Sequence, residues 1–411
     1  MSNSGPSATE VSFPIEIYSN VRFTESMPVT SKFGKYYVPI ASRTLDVLEA
    51  FRTPQDELTL EQIRTRTGVA HTTAFRILYT LVHRRYLTQT GKKYRLNPVR
   101  RKIKLGFGTL SGDHPFALTI AQSLRVAANA AGMELIVKDN QRDPQIAIEN
   151  AQDLVNEGVD VAIEFQRHEH SAPVIADIFA TAGIPTIAVH IPQPGAVYFG
   201  ADNYRAGWTA GVALAEFAKS HWDDAPELLL LLDIPQGGMA LQSRMTGVLR
   251  GLESVAGPFP AEHVVRVDGK GMREASRQIT GGILRDHPQL RRILVSAASD
   301  ESALGAVDAL RAAGLAESSA VVGHDGEAEA VREVGRPESP LIGTVAFFPE
   351  RYGRGLVSLV LRLLKGEPIA PFHYIEHELI DIRNAETYLA TSPGSTMNLS
   401  SQATLAQLSA I

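Results

Sequence analysis

Most of the chain alternates short runs of β-branched and aliphatic residues with longer segments in which an apolar residue recurs every three or four positions. The short runs predict strands and the longer segments predict amphipathic helices. Strands that alternate with helices of this length indicate βαβ crossovers, and therefore parallel sheets covered on both faces. The predicted strands are 103–108, 134–137, 159–165, 185–189, 197–200, 227–233, 263–267, 292–296, 320–323 and 342–347. The predicted helices are 116–131, 144–156, 172–182, 203–220, 239–255, 272–286 and 302–313.

The alternation starts again after residue 203, which predicts an α/β fold with two doubly wound parallel sheets in two lobes. Ligands in such sheets bind beyond the carboxyl ends of the strands, so we expect a cleft between the lobes. With 411 residues, of which 44% are hydrophobic, the chain is long enough to bury more than one core.

Residues 41–96 have a different pattern of three short helices and a hairpin, which predicts a winged helix-turn-helix. The first helix, 41–51, places Leu45, Leu48 and Phe51 on one face, with Ser42 as the expected N-cap. The second helix, through Thr67, opens with a capping-box pattern in which Thr59 is followed three positions later by Gln62. Gly68 then supplies the turn into the third helix.

The third helix, 71–82, and the hairpin of residues 86–96, which turns near Gly91, carry the polar groups expected to meet DNA. Phe75, Leu78 and either Leu81 or Val82 are predicted to face inward, which leaves the polar side outward. We expect the helix to enter the major groove while the basic hairpin holds the phosphate backbone. The predicted DNA contacts are His71, Thr72, Thr73, Arg76, Lys92, Lys93 and Arg95.

The charge distribution favours DNA binding over the alternative of a helical module with a solvated polar face. Between Tyr36 and Lys104 there are fourteen Lys or Arg and five Asp or Glu residues, a net charge of +9. Because the whole chain carries −5, the remainder carries −14. A basic end on an acidic body is the electrostatic footprint of a nucleic-acid-binding protein.

Residues 40–97 resemble the winged-helix domain of the IclR family. The resemblance rests on Arg-Thr-Leu-Asp-Val-Leu at 43–48, Leu-Thr-Leu-Glu-Gln-Ile at 58–63, Thr-Gly-Val-Ala-His-Thr-Thr-Ala-Phe-Arg-Ile-Leu at 67–78, and Gly-Lys-Lys-Tyr-Arg-Leu at 91–96. It implies binding to operator DNA. We expect a homodimer, because paired half-sites multiply the modest affinity of one module.

Residues 103 to about 385 resemble the type I periplasmic-binding-protein fold of ribose-type sugar binders and of LacI/GalR effector domains. The motifs are 113–116 (Asp-His-Pro-Phe), 158–163, 182–187, 200–207, 299–305, 323–325 and 348–353. The resemblance implies three passages between lobes, near Asn203, Ala346 and Glu378. The implied lobes are about 103–203 with 346–378, and 204–345 with 379–395.

A closing sugar cleft needs aromatic faces against the apolar side of the ring, and polar groups that pair its hydroxyls. We expect these groups at strand ends, early helical turns and the passages between lobes. The candidates are His114, Phe116, Glu164, Phe165, His190, Arg244, Asp300, Asp325 and Phe347.

By resemblance, Phe116 matches the family's stacking aromatic, Arg244 its hydroxyl-binding arginine and Asp325 its strand-end carboxylate. Four positions depart from the family pattern: His114 (usually Asn), His190 (usually Asp), Ser299 (usually Asn) and Phe347 (usually an amide). The resemblance thus implies a small polar ligand with ring character, while the departures weigh against an ordinary ribose or galactose pocket.

Each cleft candidate also has a structural alternative. Phe165 and Phe347 are alternatively core aromatics, Asp325 a helix cap, and Arg244 a member of a structural ion pair. The histidines are alternatively satisfied within their own loops.

Other chemistry finds little support in the residue pattern. The absence of cysteine excludes disulfides and thiolate zinc sites. His168 and His170, like His373 and His377, lack the placement of a metal-binding pair. The chain has no dinucleotide loop, phosphate loop or nucleophile elbow, so we expect no cofactor, no metal and no catalytic residue. No export signal or run of eighteen apolar residues is present, so we expect no membrane contact and a cytoplasmic location.

These observations predict a regulator of transcription that binds operator DNA and a small carbohydrate or related polar effector. The alternatives are a solute receptor of a sugar transporter and an α/β sugar-processing enzyme. The predicted divisions are a mobile segment 1–35, a winged helix-turn-helix 36–98, a linker 99–102, an effector domain 103–395 and a mobile tail 396–411.

Overall fold

The computed structural model describes residues 37–53, 55–84, 86–97 and 102–391. The predicted segments 1–35 and 396–411, and all of the linker 99–102 except Lys102, lie outside the described residues. The chain forms two compact units that divide between Arg101 and Lys102.

The first unit is a winged helix-turn-helix. Its elements are α1 (Pro39–Glu49), β1 (Glu57–Thr59), α2 (Leu60–Thr67), α3 (His71–His83), β2 (Leu87–Thr90) and β3 (Lys93–Leu96). The strands form an antiparallel sheet in the order β1–β3–β2. The predicted capping box is present: Thr59 N donates to Gln62 Oε1 at 2.8 Å, and Gln62 N donates to Thr59 Oγ1 at 3.3 Å. Gly68 ends α2 with a φ of 69°, as the turn requires.

Three expectations for this unit were wrong. Ser42 is not an N-cap, because α1 begins three residues earlier and is preceded by Val38. Leu45 is 57% exposed because the buried side of α1 runs through Val47 instead. Phe75 is 49% exposed because the inner face of α3 is formed by other residues. These are Ala74, Ile77, Leu78 and Leu81.

The second unit contains the two predicted sheets, and each of them has six strands. The first has the order β14–β8–β7–β6–β4–β5 and is parallel throughout. The second has the order β10–β9–β11–β12–β13–β15, with only β15 antiparallel. The strands are β4 (Lys104–Thr109), β5 (Glu134–Asp139), β6 (Val161–Phe165), β7 (Thr186–Val189), β8 (Val197–Gly200), β9 (Leu228–Asp233), β10 (Val264–Asp268), β11 (Ile293–Ala297), β12 (Ser319–Asp325), β13 (Leu341–Ala346), β14 (Phe372–Tyr374) and β15 (Glu378–Asp381).

Helices separate most of the consecutive parallel strands. They are α4 (Pro115–Ala130), α5 (Pro144–Asn156), α6 (Ala172–Thr181), α7 (Asn203–His221), α8 (Gly238–Ala256), α9 (Arg273–Asp286), α10 (Asp300–Ala312), α11 (Ala328–Val334), α12 (Tyr352–Leu364) and α13 (Ala385–Thr391). None of the helices in the described part of the chain is both long enough and apolar enough to span a bilayer.

The chain passes between the two sheets three times. It leaves the first sheet after β8 at Gly200 and enters the second lobe with α7. After β13 it returns through α12, which packs on α4, and β14, which pairs with β8. It then crosses again to β15, which pairs with β13. Each lobe is therefore completed by a segment from the far end of the chain, which ties the two lobes together.

Helices α7 and α8 cross at unusually close range because two glycines on each helix face the other. A Cβ atom added at Gly207 would lie 1.8 Å from the carbonyl oxygen of Arg244, and one at Gly247 would lie 2.1 Å from that of Tyr204. Gly211 and Gly251 make equivalent approaches one turn later. This crossing brings Arg244 on α8 next to the start of α7.

We expect Gly207→Ala to lower the free energy of unfolding by about 1–3 kcal/mol, because the added methyl group forces two packed backbones apart. Gly281→Ala, in α9, is the matched control, since its added Cβ would meet only Arg285 Nη1 at 3.5 Å. The control should leave stability unchanged or raise it by up to about 1 kcal/mol. Chemical denaturation of both variants measures the difference. Equal stability of the two variants would contradict the close crossing.

Candidate functional site

A cavity lies between the two lobes, beyond the carboxyl ends of their strands. Its empty space, including the mouth open to solvent, is about 590 Å³. Six of the nine predicted cleft residues line it: His114, Phe116, Phe165, His190, Arg244 and Asp325. The structure thus brings together residues that are up to about two hundred positions apart in the chain.

Aromatic rings form one wall of the cavity. The ring centroid of Phe116, at the start of α4, lies 6.3 Å from that of Phe165 and 5.5 Å from that of His190. Phe347 and Tyr352 stand behind this wall, with centroids 6.4 and 5.9 Å from Phe116. Tyr352, which the sequence did not single out as a site residue, fixes His190 through a 3.0 Å contact between its hydroxyl and His190 Nε2.

Both cavity histidines are neutral at neutral pH. Burial and the charge of Arg244 lower the pKa of His190 to about 3. Burial and the charges of Arg142 and Arg167 lower the pKa of His114 to about 4. These imidazoles therefore offer the cavity hydrogen-bonding groups without charge.

Arg244 is held by neutral acceptors. Its Nε and Nη2 donate to Asn203 Oδ1 at 3.0 and 2.7 Å, and its Nη1 donates to the carbonyl oxygen of Ala298. The guanidinium lies 4.9 Å from the ring centroid of Phe347. No carboxylate among the described residues lies within ion-pairing distance of Arg244. The guanidinium is thus fixed in orientation while its charge is not cancelled by an ion pair.

Asp325 ends β12 at the cavity with a φ of 125°, a backbone conformation that is strained for a residue other than glycine. Burial raises the pKa of Asp325 to about 7, and the charge of Arg244 opposes the rise. Asp300, which was also predicted to line the cleft, does not line the cavity. Its carboxylate accepts from Thr344 Oγ1 at 2.6 Å and from Glu327 N at 2.7 Å, so it organises the loop behind Asp325.

Glu164 is also absent from the cavity lining, contrary to expectation. It pairs with Gly108 within the first sheet, and its carboxylate lies against that glycine instead of projecting past the strand end. Its Oε1 accepts from Asn140 Nδ2 at 2.8 Å. Burial raises the pKa of Glu164 to about 8. Phe347, likewise predicted as a contact, is only 1% exposed and lies beneath Arg244.

Three polar residues at or near the cavity were not predicted. Gln166 and Arg167 line it directly after β6, where the strand-end rule should have found them. The carboxyl group of Glu327 lies near the backbone of Phe116, and its Oε1 is 3.9 Å from His114 Nδ1. Glu327 belongs to the second lobe, whereas Phe116 and His114 belong to the first. The contact of Glu327 with these two residues therefore joins the lobes.

Two more contacts join the lobes at the rim. Arg167 Nη1 donates to the carbonyl oxygen of Lys270 at 2.9 Å. The carboxylate of Glu169 lies so close to Gly238, the first residue of α8, that an added Cβ would fall 1.9 Å from Glu169 Cδ. The lobes therefore touch at the rim of the cavity, whose mouth is open to solvent.

The predicted DNA-contact residues lie on the outer surface of the first unit. His71, Thr72 and Arg76 are exposed on α3, whereas Thr73 is half-buried. The basic residues of the hairpin between β2 and β3 are exposed as well: Lys92, Lys93 and Arg95. Lys93 Nζ is partly engaged by Glu57 Oε2 at 3.3 Å.

The outer face of α3 also carries two aromatic residues that were not predicted there. Phe75 is 49% exposed and Tyr79 is 68% exposed. They follow Thr72 and Arg76 along the same side of the helix. Within the described residues, no three His, Asp or Glu side chains are grouped so as to hold a metal ion.

Two mainly parallel sheets, with three passages of the chain and a cavity between them, define a two-lobed binding domain, which follows a winged helix-turn-helix in the sequence. Comparison with known families places both parts. The chain belongs to the periplasmic binding protein domain family, whose model matches residues 105–368, more than half of the chain. The IclR helix-turn-helix domain matches residues 41–91. Both families correspond to the resemblances in the sequence, and neither is a family of enzymes.

Individual relatives match the second unit. The ribose import binding protein RbsB of Salmonella typhimurium is 26% identical over 281 residues, which cover 68% of this chain and 90% of that protein. RbsB of Bacillus subtilis is 22% identical over 273 residues, 66% of this chain and 84% of that protein.

Solved structures agree in fold. A solute binding protein of an ABC transporter from Mycobacterium smegmatis, with bound glycerol, has a TM-score of 0.62 at 24% identity, covering 70% of this chain and 96% of that one. A solute binding protein from Agrobacterium vitis, with bound allitol, has a TM-score of 0.62 at 19% identity. The match covers 71% of this chain and 99% of that one. At these identities the likeness concerns the fold.

Proposed function

We propose that this protein is a regulator of transcription that binds operator DNA through its winged helix-turn-helix and a sugar-like effector in the interlobe cavity. One observation carries the proposal: a helix-turn-helix domain and a binding-protein domain occupy the same chain. A DNA-binding unit has no role in a transporter's receptor, so its presence favours regulation over solute capture. Because the relatives of the second unit are ribose import binding proteins, the solute receptor of a sugar transporter is the second candidate function.

On the ligand side, the proposed contacts are the side chains that line the cavity. The rings of Phe116 and Phe165 would cover the apolar face of a sugar. Arg244 and Asp325 would pair its hydroxyls, with His114 and His190 as neutral partners. A cavity that buries hydroxyls needs such partners, because an unpaired desolvated hydroxyl is costly.

Effector binding would act on DNA by biasing the opening and closing of the lobes. The three passages between the sheets are the natural hinges, and the contacts of Arg167 and Glu327 between the lobes would form or break as the hinges move. In a homodimer, a change in lobe angle would alter the spacing of the two winged helices. Such a shift requires the effector to prefer one state.

The test uses the full-length chain and duplexes that it selects from a random-sequence DNA library. We expect binding that weakens steeply with salt, as phosphate neutralisation requires. We also expect at least one compound of a monosaccharide and polyol panel to change the DNA affinity by about fivefold or more, the usual scale of allosteric coupling. A chain that binds sugars but selects no DNA would favour the transport receptor.

We expect Arg76→Ala to weaken binding to the selected duplex by about 1–3 kcal/mol, or roughly 5- to 150-fold, if its guanidinium reads a base. Fluorescence anisotropy at one fixed salt concentration measures the change. Arg383→Ala is the matched control, because it removes the same charge from an exposed site in the other unit, where Arg383 pairs with Asp381. Equal affinity of the two variants would remove Arg76 from the DNA-binding surface.

A further inference from the structure

The charges that line the cavity do not balance. Arg167 and Arg244 are both in the lining, and the only carboxyl group among the described lining residues is that of Asp325. The two lining histidines, as shown above, are neutral. Burial raises the pKa of Asp325 to about 7, so this single carboxyl group does not offset the charges of the two arginines.

The excess positive charge is concentrated at one end of the cavity. Arg244 and Asp325 influence each other electrostatically, whereas Arg167 is influenced by Arg142 and by Asp268. Asp268 is already engaged by Gln236 Nε2 at 2.7 Å and by Lys270 N at 2.8 Å. In the described part of the chain, no carboxylate lies within ion-pairing distance of Arg167.

Two donors at this end have no partner. Arg167 Nε is buried without an acceptor among the described residues, and so is Gln166 Nε2. Gln166 is only 2% exposed, and its Oε1 is held by Ser171 Oγ at 3.2 Å and by His168 N. The amide oxygen is therefore committed to the protein, and the amide nitrogen is the group left for a ligand.

We propose that the effector is an acidic sugar or polyol whose anionic group, a carboxylate or a phosphate, binds Arg167 and Gln166 while its hydroxyls meet Arg244 and Asp325. This inference rests on the proposed function. An anionic oxygen only accepts hydrogen bonds, and it forms stronger, shorter bonds to arginine than a hydroxyl does. It would satisfy both unpartnered donors and offset the excess positive charge, which a neutral sugar would leave uncompensated in the cavity.

The experiment measures binding to the full-length chain by calorimetry for two matched sets of probes. One set is D-ribose, D-ribonate and D-ribose 5-phosphate, and the other is D-glucose, D-gluconate and D-glucose 6-phosphate. We expect at least one anionic probe to bind about tenfold or more tightly than the neutral sugar of its set. The carboxylate and phosphate members of each set identify which anion the site takes.

Arg167→Gln tests the assigned group. We expect this substitution to weaken binding of the anionic probe about tenfold or more. The affinity for the neutral sugar of the same set should stay within about twofold of the wild-type value. Arg142→Gln is the matched control, since Arg142 lies nearby but is paired with Asp113 at 2.9 Å and does not line the cavity. It should retain most of the preference for the anion. Thermal unfolding of both variants verifies that they fold.

Two other outcomes separate this inference from the proposed function. If the neutral sugars bind as tightly as their acidic counterparts and alter DNA binding, sugar sensing stands and the anionic site is wrong. If no probe of either set binds and none alters DNA affinity, both the inference and the sugar-responsive function fail. An anion preference that Arg167→Gln leaves intact would also overturn the site assigned here.

Discussion

Replacing Arg244 with Met should abolish the response of DNA binding to the effector while leaving DNA affinity without effector unchanged. Arg244 is 3% exposed, lines the cavity and is fixed by Asn203 and by the carbonyl oxygen of Ala298. Met fills a similar volume but donates no hydrogen bond. Loss of charge-assisted bonds to ligand hydroxyls should cost about 2–4 kcal/mol, or roughly 30- to 1000-fold in effector affinity.

The same helix provides a matched control. Arg250 is also on α8, but its Nη1 pairs with Glu253 Oε2 at 2.6 Å on the exposed surface. Arg250→Met should leave effector affinity within about twofold, since it removes an equal side chain outside the cavity. Arg244→Lys should resemble Arg244→Met, because one ammonium group cannot span the two fixed acceptors.

Calorimetry gives the effector affinity, and anisotropy gives the DNA response. Wild-type effector affinity in a folded Arg244→Met protein would exclude Arg244 from the binding site. It would leave the guanidinium with the purely structural role of joining α7, α8 and the loop after β11.

The strands and helices that were predicted well have strong local signals. Helix α5 begins and ends where expected, at Pro144 and Asn156, because Asp143 caps it: Gln145 N donates to Asp143 Oδ1 at 2.7 Å. The buried strand β9 is a run of leucines between charged residues, Glu227 and Asp233, and the shortness of this run predicts a buried strand.

The elements that were missed depend on distant partners. Strands β14 and β15 have three and four residues, and they exist because they pair with β8 and β13 far earlier in the chain. Short edge strands of this kind carry little intrinsic preference. Helix α12 was missed although Phe348 and the residues that follow it were recognised as a family motif.

The site shows the same division between local and tertiary information. The position of a residue at a strand end can be counted along the chain, and this rule found Phe165 and Asp325. The rule gave the wrong result for Glu164, which lies one position before the end of its strand. Its side chain lies within the sheet, over Gly108, and does not reach the cavity. The position of Glu327 could not be predicted, since only the tertiary fold brings this residue of the second lobe next to Phe116 and His114 of the first.

Stability should depend on pH through the buried carboxyl groups, with Glu164 as the clearest case. Its folded-state pKa of about 8 is raised by burial alone and is only lowered by the hydrogen bond from Asn140. A carboxyl group with a raised folded pKa stabilises the fold when protonated, and that stability is lost as pH rises through the folded value. Between pH 6.5 and pH 8, the free energy of unfolding should therefore fall with rising pH, by up to about 1.4 kcal/mol per pH unit from this group.

Below about pH 6.5 the buried histidines oppose the trend set by Glu164. Burial lowers the pKa of His114 to about 4 and those of His190 and His324 to about 3, so the contribution of these three groups to stability falls as pH drops below about 6.5. Asp325, with its pKa raised to about 7, adds to the loss on the alkaline side.

Glu164→Gln isolates the contribution of one group. Glutamine keeps an oxygen that accepts from Asn140 but cannot ionise, so the stability of the variant relative to wild type should grow by about 1–2 kcal/mol from pH 6.5 to pH 8. Urea denaturation of the full-length chain across this range measures the difference. Glu376→Gln, at a site that is 90% exposed, should follow the wild type at every pH. If the stability of Glu164→Gln also changes with pH as that of the wild type does, Glu164 is ionised in the folded protein throughout this range. Water or a cation would then reach the carboxylate beside Gly108.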